Sequence, residues 1–342
     1  MNKEAFAQKH LMSRSVLSYI LWPASLIYAL FMRIRRKTLT GKGYSSTCKV
    51  ISVGNLSMGG SGKTPISIAL ALALKERGMK VLYSSRGYKS ALEEGATLIS
   101  DGSPDRISPN AGDEAIEAAQ ALIDIPVICG RDRKRALKLA EDLMMDVVIL
   151  DDAFQHLKVQ RDIDLLIFDS ESGLGNGFVI PAGYLREGLW AITKDCISIF
   201  HHKPMNRPDL KLKQKLQDRS GAFFEIHSKN NSIIHKDEEI DPASLQDKKI
   251  SILCGIADPR SFRKGAKALG ITWQNELCFA DHQDYSSDEI RDKIRAEDAD
   301  YLLCTAKDAV KLLPEFEDRL LILQLETYLS EPLIDFVIEK LD

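Results

Sequence analysis

At 342 residues the chain has room for two domains, each with its own core. A composition 44% hydrophobic and 28% charged is that of a folded protein, and a net charge of −3 gives no global pull toward nucleic acid. Six cysteines without a CxxC pair and seven histidines without an HExxH exclude a disulfide frame and the usual zinc spacings, and point to free thiols in a reducing compartment.

Val16 to Met32 (VLSYILWPASLIYALFM) carries no charge, and Arg33-Ile34-Arg35-Arg36-Lys37 follows at once. No small-residue cleavage site follows, which disfavours a signal peptide. The run is at the lower limit for spanning a bilayer, and Pro23 interrupts it. Trp22 and two tyrosines suit an interface, and the basic cluster suits an anionic cytoplasmic leaflet. Residues 1–38 are therefore expected to form a membrane-associated helix in or on the membrane surface. An apolar helix buried against the protein body is the alternative.

Lys49 to Val53 reads as a short buried strand that runs into VGNLSMGGSGKTP, followed by an apolar helical pattern. Strand, glycine turn, Lys-Thr and helix form the setting of a phosphate-binding loop. Its amides, with the helix N-terminus, would cradle an anion across Ser57, Met58, Gly59, Gly60, Ser61 and Gly62. Lys63 would reach the β- and γ-phosphates of ATP, and the Thr64 hydroxyl would ligate Mg²⁺. Ser57 stands where the usual pattern has its first glycine.

Further strands are expected at Lys80–Ser84, Pro126–Gly130, Ile163–Asp169 and Asp195–Phe200. Asp113 opens a helix, either as its cap or as a carboxylate presented at the nucleotide edge of the sheet; both readings stay open. The basic run at Arg131 follows a strand, as a phosphate site or as a solvated helix start. In DVVILDDAFQH, an apolar strand ends in Asp151-Asp152, the pattern of a Walker B strand that supplies Mg²⁺ carboxylates. Strands alternating with helices predict an α/β fold with a mostly parallel, P-loop NTPase-like sheet. The basic, proline-containing stretch from His201 to Ser220 reads as a boundary between a P-loop kinase domain, 39–205, and a smaller α/β domain, 206–342. In the second half, His282 sits among carboxylates in FADHQDY, where a histidine either tunes a catalytic group or is a plain loop residue.

Taken together, VGNLSMGGSGKTP, SRGY, the GDE at Gly112, LDDAFQH, DIDLLIFD, GLGNG…PAGYLRE, GIADPRSF, FADHQDY and TAKDAVKL resemble the tetraacyldisaccharide 4′-kinase family, in that family's order and over most of residues 50–315. The resemblance implies ATP- and Mg²⁺-dependent phosphorylation of the 4′-hydroxyl of tetraacyldisaccharide 1-phosphate, giving lipid IVA, at the cytoplasmic face of a bacterial inner membrane. It implies a glycolipid substrate, a membrane surface and no obligatory protein partner. It assigns Asp113 as catalytic base with His282 as its partner, Lys63 and Thr64 to the phosphate loop, and Asp151 and Asp152 to Mg²⁺. Arg131, Arg186 and Glu187 match positions associated with substrate or phosphate. The serine at position 57 is compatible with the family, whereas Ala115, Ala153 and Gln283 depart from its commonest residues. A membrane-associated P-loop ATPase or GTPase switch without a lipid acceptor is the rival reading.

Overall fold

The computed structural model describes residues 13–342 other than 59–61, 88–89, 104–105, 109, 257–258, 281–282 and 314. The chain divides into two compact units. The first comprises the residues through His202, Arg207–Ile226 and Leu329–Asp342; the second comprises Lys203–Asn206 and His227–Tyr328.

The first unit begins with helix α1 (Val16–Leu39). Seven strands follow: β1 (Lys49–Gly54), β2 (Val81–Ser85), β3 (Thr97–Ser100), β4 (Val127–Cys129), β5 (Val147–Asp151), β6 (Ile163–Asp169) and β7 (Cys196–His202). Their order is β7-β6-β1-β5-β2-β4-β3, and every pairing is parallel except that of β3 with β4. Helices α2 (Lys63–Glu76), α3 (Asp113–Ala121), α4 (Arg133–Asp142), α5 (Leu210–Arg219) and α9 (Glu331–Leu341) complete it. A parallel sheet needs both faces covered, and the strand residues divide accordingly. Ile51, Val53, Val147 and Ile149 join the core under α2, α3 and α9, while Val50, Val148 and Leu150 join Ala136, Leu137 and Ala140 of α4. The second unit has its own parallel order, β11 (Asn275–Cys278), β10 (Ile250–Cys254), β12 (Tyr301–Thr305) and β13 (Leu320–Tyr328). Antiparallel β8 (Ala222–His235), which starts in the first unit, and β9 (Glu238–Ile240) extend that sheet. Its apolar faces are covered by α6 (Pro259–Ala268) on one side and by α7 (Asp288–Arg295) with α8 (Ala306–Leu312) on the other.

The boundary expected at 206 is corrected in two respects. The basic stretch after His202 hides helix α5, whose Leu212 and Leu216 are buried in the first unit. The chain also returns at its end, and Leu333, Val337 and Leu341 of α9 enter the core beneath β1 and β5. A charged stretch with two apolar anchors looks like a linker until its partner surface is known.

Pro23 does not interrupt α1. Proline removes one helical hydrogen bond, but here contacts on both sides of it hold the helix. Ser25 Oγ donates to Val179 O at 2.8 Å and accepts from Ala182 N–H at 2.9 Å, and Asn176 Nδ2 donates to Ser18 Oγ at 3.4 Å. Residues advance by about 100° along a helix. Buried Ser18, Ser25 and Met32 therefore form one stripe, and Val16, Ile20, Ile27, Phe31 and Ile34, all more than half exposed, form the opposite one. Among the described residues this is the one helix long and apolar enough to cross a membrane.

Candidate active site

β1 lies between β5 and β6, with Val53 opposite Asp151, so the phosphate loop leaves the sheet beside the Walker B aspartate. Gly54 is required there, because a Cβ would stand 2.5 Å from the Cβ of Phe154. The first half of the loop is clamped by residues 184–187. Arg186 N–H donates to Leu56 O at 2.6 Å, Met58 N–H donates to Tyr184 O at 2.8 Å, and Ser57 forms a strand-like bridge with Leu185. An extended bridge needs no glycine, which explains how Ser57 is tolerated. Its Oγ accepts from Asn55 Nδ2 at 3.1 Å. Gly59, Gly60 and Ser61 lie outside the described residues. The chain resumes at Gly62, which caps α2 at φ +85° and whose missing Cβ would touch the His201 ring at 2.6 Å.

The Thr64 hydroxyl donates to Asp151 Oδ2 at 2.9 Å, and the Tyr83 hydroxyl donates to the same oxygen at 3.0 Å. Burial pushes the Asp151 carboxyl up and the Lys63 charge opposes it. Asp152 turns outward through a left-handed φ of +48°. It faces Lys63 Nζ at 3.6 Å and takes two hydrogen bonds from Arg186 Nη1, at 2.9 and 3.0 Å. Burial would raise this carboxyl too, but Lys63 and Arg186 outweigh it and hold it at about 2. The two neighbouring acids thus differ: one is buried against hydroxyls, the other is fixed as an anion between two cations. Ala153, which departs from the residue the resemblance implies, is fully buried and returns its N–H to Val53 O at 3.2 Å.

Three residues of this edge escaped the sequence reading. Tyr83 is buried in β2, with Ser67 Oγ 3.1 Å from its hydroxyl; the polar atom at the carboxyl end of an apolar strand was the available signal. Arg133, only 2% exposed, donates to Ser84 O at 3.0 Å, Ser84 Oγ at 2.8 Å and the Asp151 carbonyl, so it ties the ends of β2 and β5 together. Burial lowers its pKa, and Asp151 and Asp152 offset that. Nothing in the run RDRKR marks which arginine turns inward. Arg131, the one singled out, is instead an exposed partner of Glu94 at 2.7 Å. The third is Arg36, which donates to Glu187 at 3.0 and 2.5 Å and stacks 4.1 Å from the Phe154 ring centroid.

This last contact corrects two expectations. The Glu187 side chain has no exposure and is occupied by Arg36, so it holds α1 in place and is not available to substrate. The basic cluster is not wholly free to meet lipid either: Arg35 donates to Gln155 O at 3.1 Å, and Arg33 lies over the Trp190 ring.

Asp113 is the first residue of α3, after Gly112, so its helix-terminus position is real. Only five residues separate the end of α3 from the start of β4, and β4 runs parallel to β2, so the N-terminus of α3 lies at the carboxyl edge of the sheet. The cap itself is Gly112, with no side-chain cap bond, so Asp113 stands at the first helical position of that edge and not as the cap. Ala115, which departs from the residue the resemblance implies, is buried without exposure under this turn. His282 lies outside the described residues.

The donor set fits a small hard cation. Thr64 and Asp151 bring a hydroxyl and a carboxylate oxygen to 2.9 Å, and among the described residues no cluster of three or more His, Cys, Asp or Glu competes. Mg²⁺ is usually held by one or two carboxylates together with substrate phosphates rather than by an all-protein cage.

A family model described as tetraacyldisaccharide-1-P 4′-kinase matches residues 17–342. The chain belongs to the tetraacyldisaccharide 4′-kinase family. It is 33% identical over 312 residues to the tetraacyldisaccharide 4′-kinase of Desulfotalea psychrophila, covering 87% of this chain and 89% of that one. Against the Geobacter sulfurreducens kinase of the same name it is 36% identical over 298 residues, covering 85% and 82%. It also matches a crystal structure described as the "apo" form of LpxK from Aquifex aeolicus in complex with ATP, with a TM-score of 0.76 at 29% identity, over 96% of this chain and 100% of that one. The family's fold, a P-loop-like α/β sheet, is the fold found here.

Proposed function

We propose that the protein transfers the γ-phosphoryl group of ATP to the 4′-hydroxyl of tetraacyldisaccharide 1-phosphate, giving lipid IVA. The observation that carries this is the Thr64–Asp151 pair beside the Lys63–Asp152–Arg186 network at the mouth of the phosphate loop. Family membership supplies the acceptor and argues against a switch that only hydrolyses nucleotide. The test is transfer of label from γ-labelled ATP to that lipid.

Phosphoryl transfer asks the protein mainly to position reactants and neutralise charge. In this reading Lys63 and the loop amides hold the phosphates. Thr64 and Asp151, with Asp152 adjoining, would hold Mg²⁺, whose bound charge screens the phosphate oxygens. Arg186 keeps Asp152 anionic and oriented. Asp113 accepts the proton of the sugar hydroxyl as its oxygen attacks, and His282 orients that carboxylate. Arg131, screened by Glu94, receives no role.

We also read α1 as lying on the cytoplasmic face of the inner membrane rather than crossing it. Its inner stripe is bonded to the first unit from Ser18 to Arg36, so a crossing helix would drag those partners into hydrocarbon. Its outer stripe is apolar and exposed. A four-chain glycolipid leaves a bilayer at a cost of about 0.8 kcal/mol per CH₂, so the enzyme meets it at the surface.

A further inference from the structure

Cys254 ends β10 and Cys278 ends β11, and the two are register partners in parallel strands. Their sulfurs stand 3.7 Å apart. Paired strands lie about 4.8 Å apart, inside the roughly 4.4–6.8 Å Cα window of a disulfide. Cys254 is fully buried whereas Cys278 is exposed. The Cys278 sulfur has the Arg263 guanidinium at 3.7 Å and the Glu276 carboxylate at 3.7 Å. Arg263 is itself paired with Glu276, so what carries the layout of an attacking and a resolving cysteine is an accessible thiol with a second thiol directly behind it.

We propose that Cys254 and Cys278 are a redox modification site that takes a hydroperoxide and closes to a disulfide, lowering phosphoryl transfer. The Cys278 thiolate attacks the terminal oxygen of the peroxide and becomes a sulfenic acid, with one water (or alcohol) released. The Cys254 thiol then displaces the sulfenic oxygen as a second water. Two thiols lose two electrons and two protons in all, and the peroxide takes them up. A dithiol reverses the reaction. With the Cys278 sulfur exposed, the bridge is open to a reducing dithiol.

Each cysteine heads a segment of interest. Gly255 N–H donates to the buried Asp308 carboxylate at 3.1 Å, and Phe279 N–H donates to Cys254 O at 2.8 Å. His282 follows Cys278 in the same segment. The effect on transfer rests on the role proposed for His282; formation of the bridge does not.

The test uses reduced full-length protein treated with hydrogen peroxide and mapped by non-reducing peptide mass spectrometry. We expect a 254–278 cross-link with a loss of about 2 Da, a fall in turnover of at least about fivefold, and recovery of both with dithiothreitol. Cys278→Ser should keep its untreated turnover and resist peroxide. A Cys254–Cys304 link, oxidation of Cys278 to sulfinic acid without a link, or full turnover in the cross-linked protein would overturn the proposal. Absence of transfer before treatment would count against the proposed function, while the peptide map would still decide on the bridge.

Discussion

Arg36, near the end of the N-terminal helix, forms a two-bond ion pair with Glu187, which follows directly on the residue that clamps the phosphate loop. The Glu187 side chain has no exposure and that of Arg36 has 14%. Removing one partner would leave a buried charge unpaired, a cost of about 3–5 kcal/mol. Arg36→Ala should lose that much in urea unfolding, and the double variant with Glu187→Gln should lose less than the two single losses added together. A loss under about 1 kcal/mol would mean that the pair is screened like a surface one.

The outer stripe of the same helix gives a separate prediction, because its side chains are exposed. Ile20, Ile27 and Phe31 are 68%, 73% and 61% exposed. Replacing all three by glutamate should leave the unfolding free energy near its original value. Partition onto vesicles should fall about a hundredfold, taking about 1 kcal/mol for each half-immersed side chain. Unchanged sedimentation with vesicles would remove α1 as the membrane contact.

For the base, Asp113→Ala should lower turnover by about 10²–10⁴-fold with ATP binding retained. His282→Ala should cost less in the Asp113→Ala background than alone, because an orienting partner has nothing left to orient. Additive losses in kcat would separate the two residues, and unchanged turnover in Asp113→Ala would remove it from the mechanism.

Acid should act on stability through His156. Burial first, then the charges of Arg133, Lys158 and Arg161, lower its pKa from 6.5 to about 4. A depressed value means that below pH 6.5 the unfolded chain takes up a proton the folded one refuses. Stability from this group is therefore whole above pH 6.5 and is lost as pH falls toward 4. The full shift corresponds to about 3 kcal/mol, and partial exposure brings it nearer 2. His156→Gln should flatten the unfolding free energy across that window; an equal slope in both proteins would place the acid sensitivity elsewhere.

The legible parts of the chain were those written locally. β4 and β6 fall where their apolar runs placed them, and Asp151 stands opposite Val53 as a P-loop and Walker B pair should. Edge strand β3, with Thr97 and Leu98 exposed, carries too little apolar pattern to stand out from a loop. The long strand β8 includes the polar run SKNNS, and its pairing with β13 joins residues some ninety positions apart. Arg133 opens α4 whereas Arg131 lies before it, and Arg36 differs from its basic neighbours in the side of α1 it occupies. Only the packed partner surface decides that, and adjacent letters do not carry it. The glutamate of PAGYLRE looked like a ligand residue because its motif lies at the site, yet it serves the helix behind the site.

The central claim is a transfer, and the most direct measurement is of the product. Purified protein would be incubated with γ-labelled ATP, Mg²⁺ and tetraacyldisaccharide 1-phosphate, and the lipids separated. We expect label in a doubly phosphorylated lipid, lost on chelation of Mg²⁺ and in Lys63→Ala. Release of labelled inorganic phosphate alone, at the same rate with and without the lipid, would contradict the assignment.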